Sequence, residues 1–222
     1  MTDFNYAHKN TQEGERATKT APFNKPQIEE EIQSLRLNAF NQEIPVSDDE
    51  TLCFLQTFLA ALKPENVLEL GTAVGLSGAV MLQTCPYAHL TTVERDGNFY
   101  KTATENFEKL DLSGRVTAIL GDAGEEIEKL PENYFDFIFL DCAKVQYIKY
   151  LPRLKKLLKQ GGVLVADDVL LFGYVTGETE VPKKRRMLVT HIKEYLSAVT
   201  TDKELYTTVL DIGNGVAVST KI

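Results

Sequence analysis

The sequence predicts an α/β fold: a doubly wound sheet of parallel strands, closed near the end of the chain by an antiparallel hairpin. From residue 66 to residue 166, short apolar runs alternate with helix-length amphipathic segments, and such alternation indicates a parallel sheet. Two of the runs, 135–140 and 162–166, are almost wholly apolar, as strands covered on both faces are. The last segment alternates around Gly213-Asn214-Gly215, which predicts the hairpin.

Length and composition favour one domain. The chain has 222 residues, of which 43% are apolar and 25% charged, enough for one sizeable core. We expect a single domain over residues 25–222, preceded by a flexible arm over residues 1–24. The three cysteines show neither disulfide nor metal-ligand spacing, and no membrane-length apolar run occurs. We therefore expect a cytoplasmic protein that contacts no membrane.

The charge distribution bears on the choice of partner. A net charge of −8 argues against a protein whose whole surface binds nucleic acid, because phosphate binding needs clustered Lys and Arg. Ten Lys and Arg residues nevertheless form two clusters in the sequence. Each cluster is either part of a local basic face or an ordinary solvated helix surface. Their members are Lys144, Lys149, Arg153, Lys155, Lys156 and Lys159, then Lys183, Lys184, Arg185 and Arg186.

The individual elements follow in chain order. Pro26 predicts the start of a first helix, and Ser47 with Glu50 predicts a capping box for a second helix that ends before Pro64. A later helical segment, between the fourth and fifth strands, is predicted to break at Pro152. Strands are predicted at 66–70, 89–94, 115–120, 135–140 and 162–166, and helices at 75–84, 97–110, 123–129 and 183–198.

The most informative stretch is residues 66–78, NVLELGTAVGLSG. A buried strand ends there at the small residues Gly71, Ala73 and Gly75, and a helix follows. Small residues let backbone N–H groups approach a ligand, and the start of a helix offers unpaired donors, so the turn is typical of a nucleotide cradle. An ordinary strand-to-helix turn is the alternative. The glycine spacing argues against an NAD-dependent dehydrogenase.

Acidic residues follow the strands along one predicted edge of the sheet. Glu94 ends the second strand, where it can accept hydrogen bonds from two ribose hydroxyls, and Asp122 follows the third. Asp141 follows the fourth strand, and the pair Asp167-Asp168 follows the fifth. Converging carboxylates repel one another unless a cation lies between them, and hard oxygen ligands favour Mg²⁺ or Mn²⁺ over zinc. The alternative is that these aspartates cap helices.

Lys144 lies three residues after Asp141 and can lean over the same edge. Next to a dication and covered by substrate, an ammonium group loses its proton more readily, which makes Lys144 a candidate general base. Cys142 has no partnered histidine, so we interpret it as a packing residue rather than a nucleophile.

Together these motifs resemble the cation-dependent O-methyltransferases, the group of catechol and caffeoyl-CoA O-methyltransferases, over residues 28–222. The resemblance implies a Rossmann-like methyltransferase sheet, S-adenosylmethionine (SAM) as cofactor with Mg²⁺ or Mn²⁺, and a homodimer. It implies Lys144 and Asp141 as catalytic residues and Asp141, Asp167 and Asp168 as metal ligands. The implied cofactor-binding residues are Glu69, Gly71, Thr72, Ala73, Gly75, Ser77, Glu94, Arg95, Asp122, Ala123 and Asp141.

Within this group the chain is most similar to bacterial members that methylate 5-hydroxyuridine in tRNA, notably in its ending IGNGVAVS. It departs from the family at Asp168, where Asn is usual, and in Leu170–Tyr174, which lacks a common arginine. We expect an O-methyltransferase acting on an acidic hydroxyl, with tRNA as acceptor and a small catechol or phenol as the alternative. A non-catalytic SAM-binding regulatory module is the alternative from another class.

Overall fold

The computed structural model describes residues 18–222, which contain one seven-stranded sheet in the order β3-β2-β1-β4-β5-β7-β6. The first five strands are mutually parallel, and β7 pairs antiparallel with both β5 and β6. The predicted fold class is therefore confirmed. The strands are β1 Asn66–Leu70, β2 His89–Glu94, β3 Val116–Leu120, β4 Phe135–Leu140, β5 Leu158–Ala166, β6 Leu205–Leu210 and β7 Val216–Lys221.

Helices cover the sheet on both faces and enclose two apolar cores. Helices α1 to α4 pack on one face around Leu55 and Phe107, and α5 to α7 pack on the other around Tyr147 and Ile192. Central strands bury both faces, which explains their continuous apolar sequences. The helices are α1 Glu30–Asn41, α2 Asp49–Leu62, α3 Leu76–Thr84, α4 Gly97–Lys109, α5 Ala123–Glu126, α6 Tyr147–Leu157 and α7 Arg186–Thr201.

The predicted starts of the first two helices are wrong. Helix α1 begins at Glu30 rather than at Pro26, and the backbone N–H of Gln27 donates to the side chain of Gln56 instead. Helix α2 is capped by Asp48, whose carboxylate accepts from Thr51 N at 2.8 Å. Glu50 therefore does not complete a capping box. The Glu50 carboxylate instead accepts hydrogen bonds from residues within 18–24, the end of the predicted N-terminal arm. Residues 1–17 of that arm lie outside the described part.

The predicted break at Pro152 is also wrong, because α6 runs through that residue without interruption. A proline inside a helix removes one backbone hydrogen bond and costs about 3 kcal/mol. Here α6 buries a continuous stripe that includes Tyr147, Leu151 and Leu154, and burial of such side chains contributes roughly 1.5–3 kcal/mol each. Tertiary packing therefore outweighs the local preference of the proline.

Candidate active site

The turn after β1 is held in a conformation that only small residues adopt easily. Gly71, Ala73 and Gly75 all have positive φ, at 104°, 45° and 86°. A Cβ on Gly71 would lie 2.2 Å from the backbone oxygen of Asp141, so the turn packs directly against the end of β4. The backbone N–H of Ala73 donates to Glu94 Oε2 at 2.9 Å. The sequence therefore builds a close, rigid loop at the edge of the sheet.

Beneath this turn lies a buried carboxylate with its own hydroxyl donors. Glu69 is fully buried, and it accepts from Ser77 Oγ at 2.5 Å and from Thr92 Oγ1 at 2.6 Å. Thr72 Oγ1 lies 2.5 Å from Thr92 Oγ1 and joins the same cluster. Burial raises the pKa of Glu69 to about 7, although the two hydroxyls oppose this. Glu69, Thr72 and Ser77 therefore support the turn from below and do not line the pocket.

A pocket opens between the turn and the ends of β2, β3 and β4. It contains five of the residues predicted for the cofactor, together with Gln146 and Tyr150, which no sequence motif indicated. Because Asp122 also caps α5 through Gly124 N at 2.9 Å, its carboxylate is fixed at the rim. The lining residues are Gly71, Val93, Glu94, Arg95, Gly121, Asp122, Ala123, Cys142, Ala143, Gln146 and Tyr150.

Two of the lining residues, Glu94 and Cys142, also have structural roles. Glu94 is almost fully buried, and its second oxygen accepts from Asp96 N at 2.9 Å, so its carboxylate organises the turn as well as facing the pocket. Burial raises the pKa of the Cys142 thiol to about 12. The thiol stays protonated near neutral pH, in line with a packing role.

Next to the pocket, Lys144 lies between two carboxylates. Its Nζ is 2.6 Å from Asp141 Oδ1 and 3.0 Å from Asp168 Oδ2. Burial alone would lower the pKa of this ammonium, but Asp141 and then Asp168 outweigh it and raise that pKa well above its ordinary value. Asp168 has a φ of 59°, a left-handed conformation that Asn and Asp tolerate better than most residues. The structure thus brings together Asp141, Lys144 and Asp168 as predicted.

One oxygen of the third predicted metal ligand, Asp167, is held by other groups. Asp167 Oδ1 accepts from Thr51 Oγ1 at 3.3 Å and from the N–H of Asp168 at 2.8 Å. Within residues 18–222, no three His, Cys, Asp or Glu side chains are arranged as a metal-binding group. The donor chemistry nevertheless fits Mg²⁺ or Mn²⁺, because three carboxylates lie at one edge of the sheet. Two of them, Asp141 and Asp168, both pair with the Lys144 ammonium.

The start of α2 and the residue before its cap make two contacts with the site that the sequence analysis did not predict. Ser47 Oγ lies 3.5 Å from Asp141 Oδ2, and Thr51 donates to Asp167. Both hydroxyls are buried. Because 94 and 116 residues separate these partners in sequence, no local pattern could have indicated the contacts.

The first basic cluster is largely consumed by structural ion pairs. Arg153 pairs with Glu132 at 2.6 Å, Lys155 with Asp202 at 2.6 Å, and Lys159 with Asp136 at 2.7 Å. The second cluster, Lys183–Arg186, lies just before and at the start of α7, where Lys183, Lys184 and Arg186 are exposed. Arg153, Lys155 and Lys159 are therefore paired and only partly exposed, so they form neither a free basic face nor an ordinary solvated helix surface.

Comparison with known proteins identifies the family. The sequence matches the O-methyltransferase family over residues 19–222. The chain belongs to this O-methyltransferase family. Its curated relatives include a caffeoyl-CoA O-methyltransferase from Populus kitakamiensis, 28% identical over 81% of this chain and 78% of that protein. A catechol O-methyltransferase from Niastella koreensis is 33% identical over 56% of this chain and 58% of that protein.

Solved O-methyltransferase structures show the same fold. A candidate caffeoyl-CoA O-methyltransferase from Staphylococcus aureus has a TM-score of 0.80 and 30% identity, covering 86% of this chain and 92% of that one. An O-methyltransferase from Bacillus cereus, solved with S-adenosylhomocysteine (SAH), has a TM-score of 0.76 and 22% identity over 88% and 92% of the two chains. The chain is therefore an O-methyltransferase by family and shares the fold of these enzymes. Among the described residues, no helix is long and apolar enough to span a membrane.

Proposed function

We propose that this O-methyltransferase transfers the methyl group of SAM to a hydroxyl of a small catechol or phenol, in a divalent-metal-dependent reaction. One observation carries the proposal: Asp141, Lys144 and Asp168 form a charged group immediately beside the cofactor pocket. Relatives named as catechol and caffeoyl-CoA O-methyltransferases support a phenolic acceptor. The regulatory-module alternative is disfavoured by membership of an enzyme family.

In this proposal the cofactor lies in the pocket with its ribose hydroxyls donating to Glu94, while Asp122 and Arg95 contact the remaining polar groups. The turn Gly71–Gly75 is already fixed by Glu94 and by the close approach to Asp141. Because the turn needs no rearrangement, the methyl group can be presented toward Asp141 in a set orientation, which favours in-line transfer.

Asp141 and Asp168, with Asp167 as a third ligand, would hold Mg²⁺ or Mn²⁺. When bound, such a cation lowers the pKa of an acceptor hydroxyl. Lys144 Nζ is the proposed acceptor of the hydroxyl proton. Because Asp141 and Asp168 raise the pKa of Lys144 and keep it protonated, Lys144 would take up the proton only after a bound cation had drawn these two carboxylates away from it.

The second acceptor, 5-hydroxyuridine in tRNA, is favoured by a specific surface. In the run Lys183–Arg186, Lys183, Lys184 and Arg186 are exposed, and such cations would contact the phosphates of an RNA backbone. Opposing this, Arg153, Lys155 and Lys159 are already paired with carboxylates. The small acceptor is therefore the leading proposal.

The deciding experiment supplies the purified protein with labelled SAM and Mg²⁺ and compares methylation of catechol, caffeate and bulk tRNA. We expect label on a vicinal diol first and none in the presence of EDTA. Label confined to tRNA would replace the leading acceptor by the second. Label on none of the three would refute both acceptors.

Two further expectations stay proposals. A homodimer would cover apolar side chains that are exposed in the single chain, among them Phe40 on α1 and Tyr206 on β6, and light scattering measures its mass. A reducing cytoplasmic location suits the three cysteines, which are all free thiols.

A further inference from the structure

Tyr147 is a buried residue whose hydroxyl the proposed chemistry does not use. It is the first residue of α6, and its side chain is fully buried. Its hydroxyl oxygen lies 2.8 Å from the backbone oxygen of Leu140 and 3.3 Å from the backbone oxygen of Asp167. A hydroxyl has a single proton to donate, so the two carbonyl oxygens share it. One carbonyl ends β4 and the other follows β5, and Tyr147 therefore links the ends of these two strands.

The link lies where the backbone pairing of β4 with β5 ends. The register of the two strands runs to Leu140, whose oxygen also accepts from Asp167 N at 3.1 Å. The Tyr147 hydroxyl adds one connection beyond this bond. The proposed metal ligands follow at once, because Asp141 comes directly after Leu140 and Asp168 directly after Asp167. The hydroxyl is therefore placed to fix the separation of the strand ends that carry these carboxylates.

The end of β4 is also held from its other side. Asp141 N donates to Leu70 O of β1 at 3.0 Å, and the turn at Gly71 packs against the backbone oxygen of Asp141. Among the described residues, those that line the cofactor pocket include none of β5 and neither member of the pair that follows it. Loss of the Tyr147 link should therefore release the end of β5 and leave the cofactor turn in place.

The ring of Tyr147 contacts a third part of the site. Lys144 Nζ lies 6.0 Å from the ring centroid, a distance at which an ammonium is attracted to an aromatic face. Lys144 begins the short helical turn Lys144–Gln146 that leads directly into Tyr147. The ring itself packs edge-on against Tyr195, with 5.4 Å between the centroids. One buried side chain thus contacts both strand ends and the proposed proton acceptor.

We propose that Tyr147 is a positioning residue whose hydroxyl sets the separation of the carboxylates that hold the cation. The proposal rests on the divalent-metal-dependent function proposed above, and it deepens that function by naming the residue that fixes the spacing of the metal site. Mg²⁺ requires near-ideal octahedral geometry with short bonds, whereas Ca²⁺ accepts longer bonds and flexible geometry. A loosened link should therefore weaken Mg²⁺ binding more than Ca²⁺ binding.

Tyr147→Phe tests this role, because it removes the hydroxyl and keeps the ring beside Lys144. The Kd for Mg²⁺ should rise about ten-fold, the lower end of the loss that follows removal of a group supporting a metal ligand. The Kd for Ca²⁺ should change less than about two-fold, since Ca²⁺ tolerates the looser spacing. Both values are measured on the SAH-bound protein by competition with Mn²⁺, whose free ion is quantified by electron paramagnetic resonance.

Tyr195→Phe is the matched control, because it removes the same atom from the same core. Tyr195 is fully buried and packs against the ring of Tyr147, but within residues 18–222 its hydroxyl makes no hydrogen bond. Both metal affinities of this variant should stay at the wild-type values. Calorimetric binding of SAH in the absence of metal should be the same for wild type and both variants, which confirms that each variant is folded.

The outcomes separate this inference from the function on which it rests. A loss of Mg²⁺ affinity in Tyr147→Phe alone, with Ca²⁺ and SAH affinities unchanged, supports it. An unchanged Mg²⁺ affinity overturns the inference, as does an equal loss for Mg²⁺ and Ca²⁺, for Mg²⁺ and SAH, or in the Tyr195→Phe variant. If the wild-type protein binds no divalent cation, the metal dependence of the proposed function fails and the inference fails with it. Failure of every phenolic acceptor refutes the acceptor alone, because metal binding is measured without it.

Discussion

Glu69 offers the sharpest test of the electrostatics beneath the cofactor turn. Its carboxylate is fully buried and is held by Ser77 and Thr92. Burial raises its pKa from the ordinary 4.5 to about 7. The folded state thus binds this proton more tightly than the unfolded state does. We expect Glu69→Gln, which cannot ionise, to change how the stability of the protein depends on pH.

The sign and size follow from linkage. The pKa of Glu69 is higher in the folded state than in the unfolded state, so binding of this proton stabilises the folded wild-type protein. This stabilisation is fully present below pH 4.5 and is lost as the pH rises through about 7. At about 1.4 kcal/mol per pKa unit, the loss amounts to roughly 3 kcal/mol. The variant lacks this loss, so its stability relative to wild type should increase by about that amount between about pH 5 and pH 8.

Urea unfolding at several pH values measures this difference directly, provided that unfolding is two-state. Comparing each variant with wild type cancels the contributions of the other carboxylates. Glu105→Gln, at a half-exposed side chain, is the control for the Glu-to-Gln replacement itself. A difference for Glu69→Gln that is equally flat from about pH 5 to pH 8 would refute the burial-driven pKa.

Three other predictions concern the site. Glu94→Ala should weaken SAH binding at least ten-fold by calorimetry, since it removes the ribose acceptor and the partner of Ala73 N; an unchanged affinity would place the cofactor elsewhere. Wild-type methylation should be lost in EDTA and recover when Mg²⁺ is added, whereas Asp141→Asn should be inactive with or without Mg²⁺. Full wild-type activity in EDTA would exclude the metal. Replacing Lys183–Arg186 by alanine should leave catechol methylation intact, whereas a strong, salt-dependent loss of tRNA methylation would favour the RNA acceptor.

The strands were predictable from sequence because their physical signal is strong. A run such as 135–140 must be covered on both faces, and only a central strand between two helix layers satisfies it. Since parallel strands end at one edge, the acids that follow them had to meet there. This is why Asp141 and Asp168 were placed correctly relative to Lys144.

The helix starts and the supports of the site were not predictable in the same way. Ser47 and Asp48 are both good caps, and the choice between them depends on contacts of Glu50 with a segment about 30 residues away. The direction of the Glu69 side chain was not predictable either. In a strand buried on both faces, the sequence does not reveal whether an acid points to the pocket or into the core. Such decisions belong to tertiary contacts rather than to local pattern.

The contact between Gly71 and the backbone of Asp141 has a consequence for how such an enzyme can change. Any side chain at Gly71 would displace the end of β4, so the cofactor turn and the acid-bearing strand end form a single mechanical unit. Substitutions in the turn at Gly71 therefore also disturb the end of β4 that carries Asp141. New acceptor preferences are therefore more accessible, in evolution or in the laboratory, at the start of α2, where Ser47 contacts Asp141 and Asp48 lies against Gly213 of the hairpin turn.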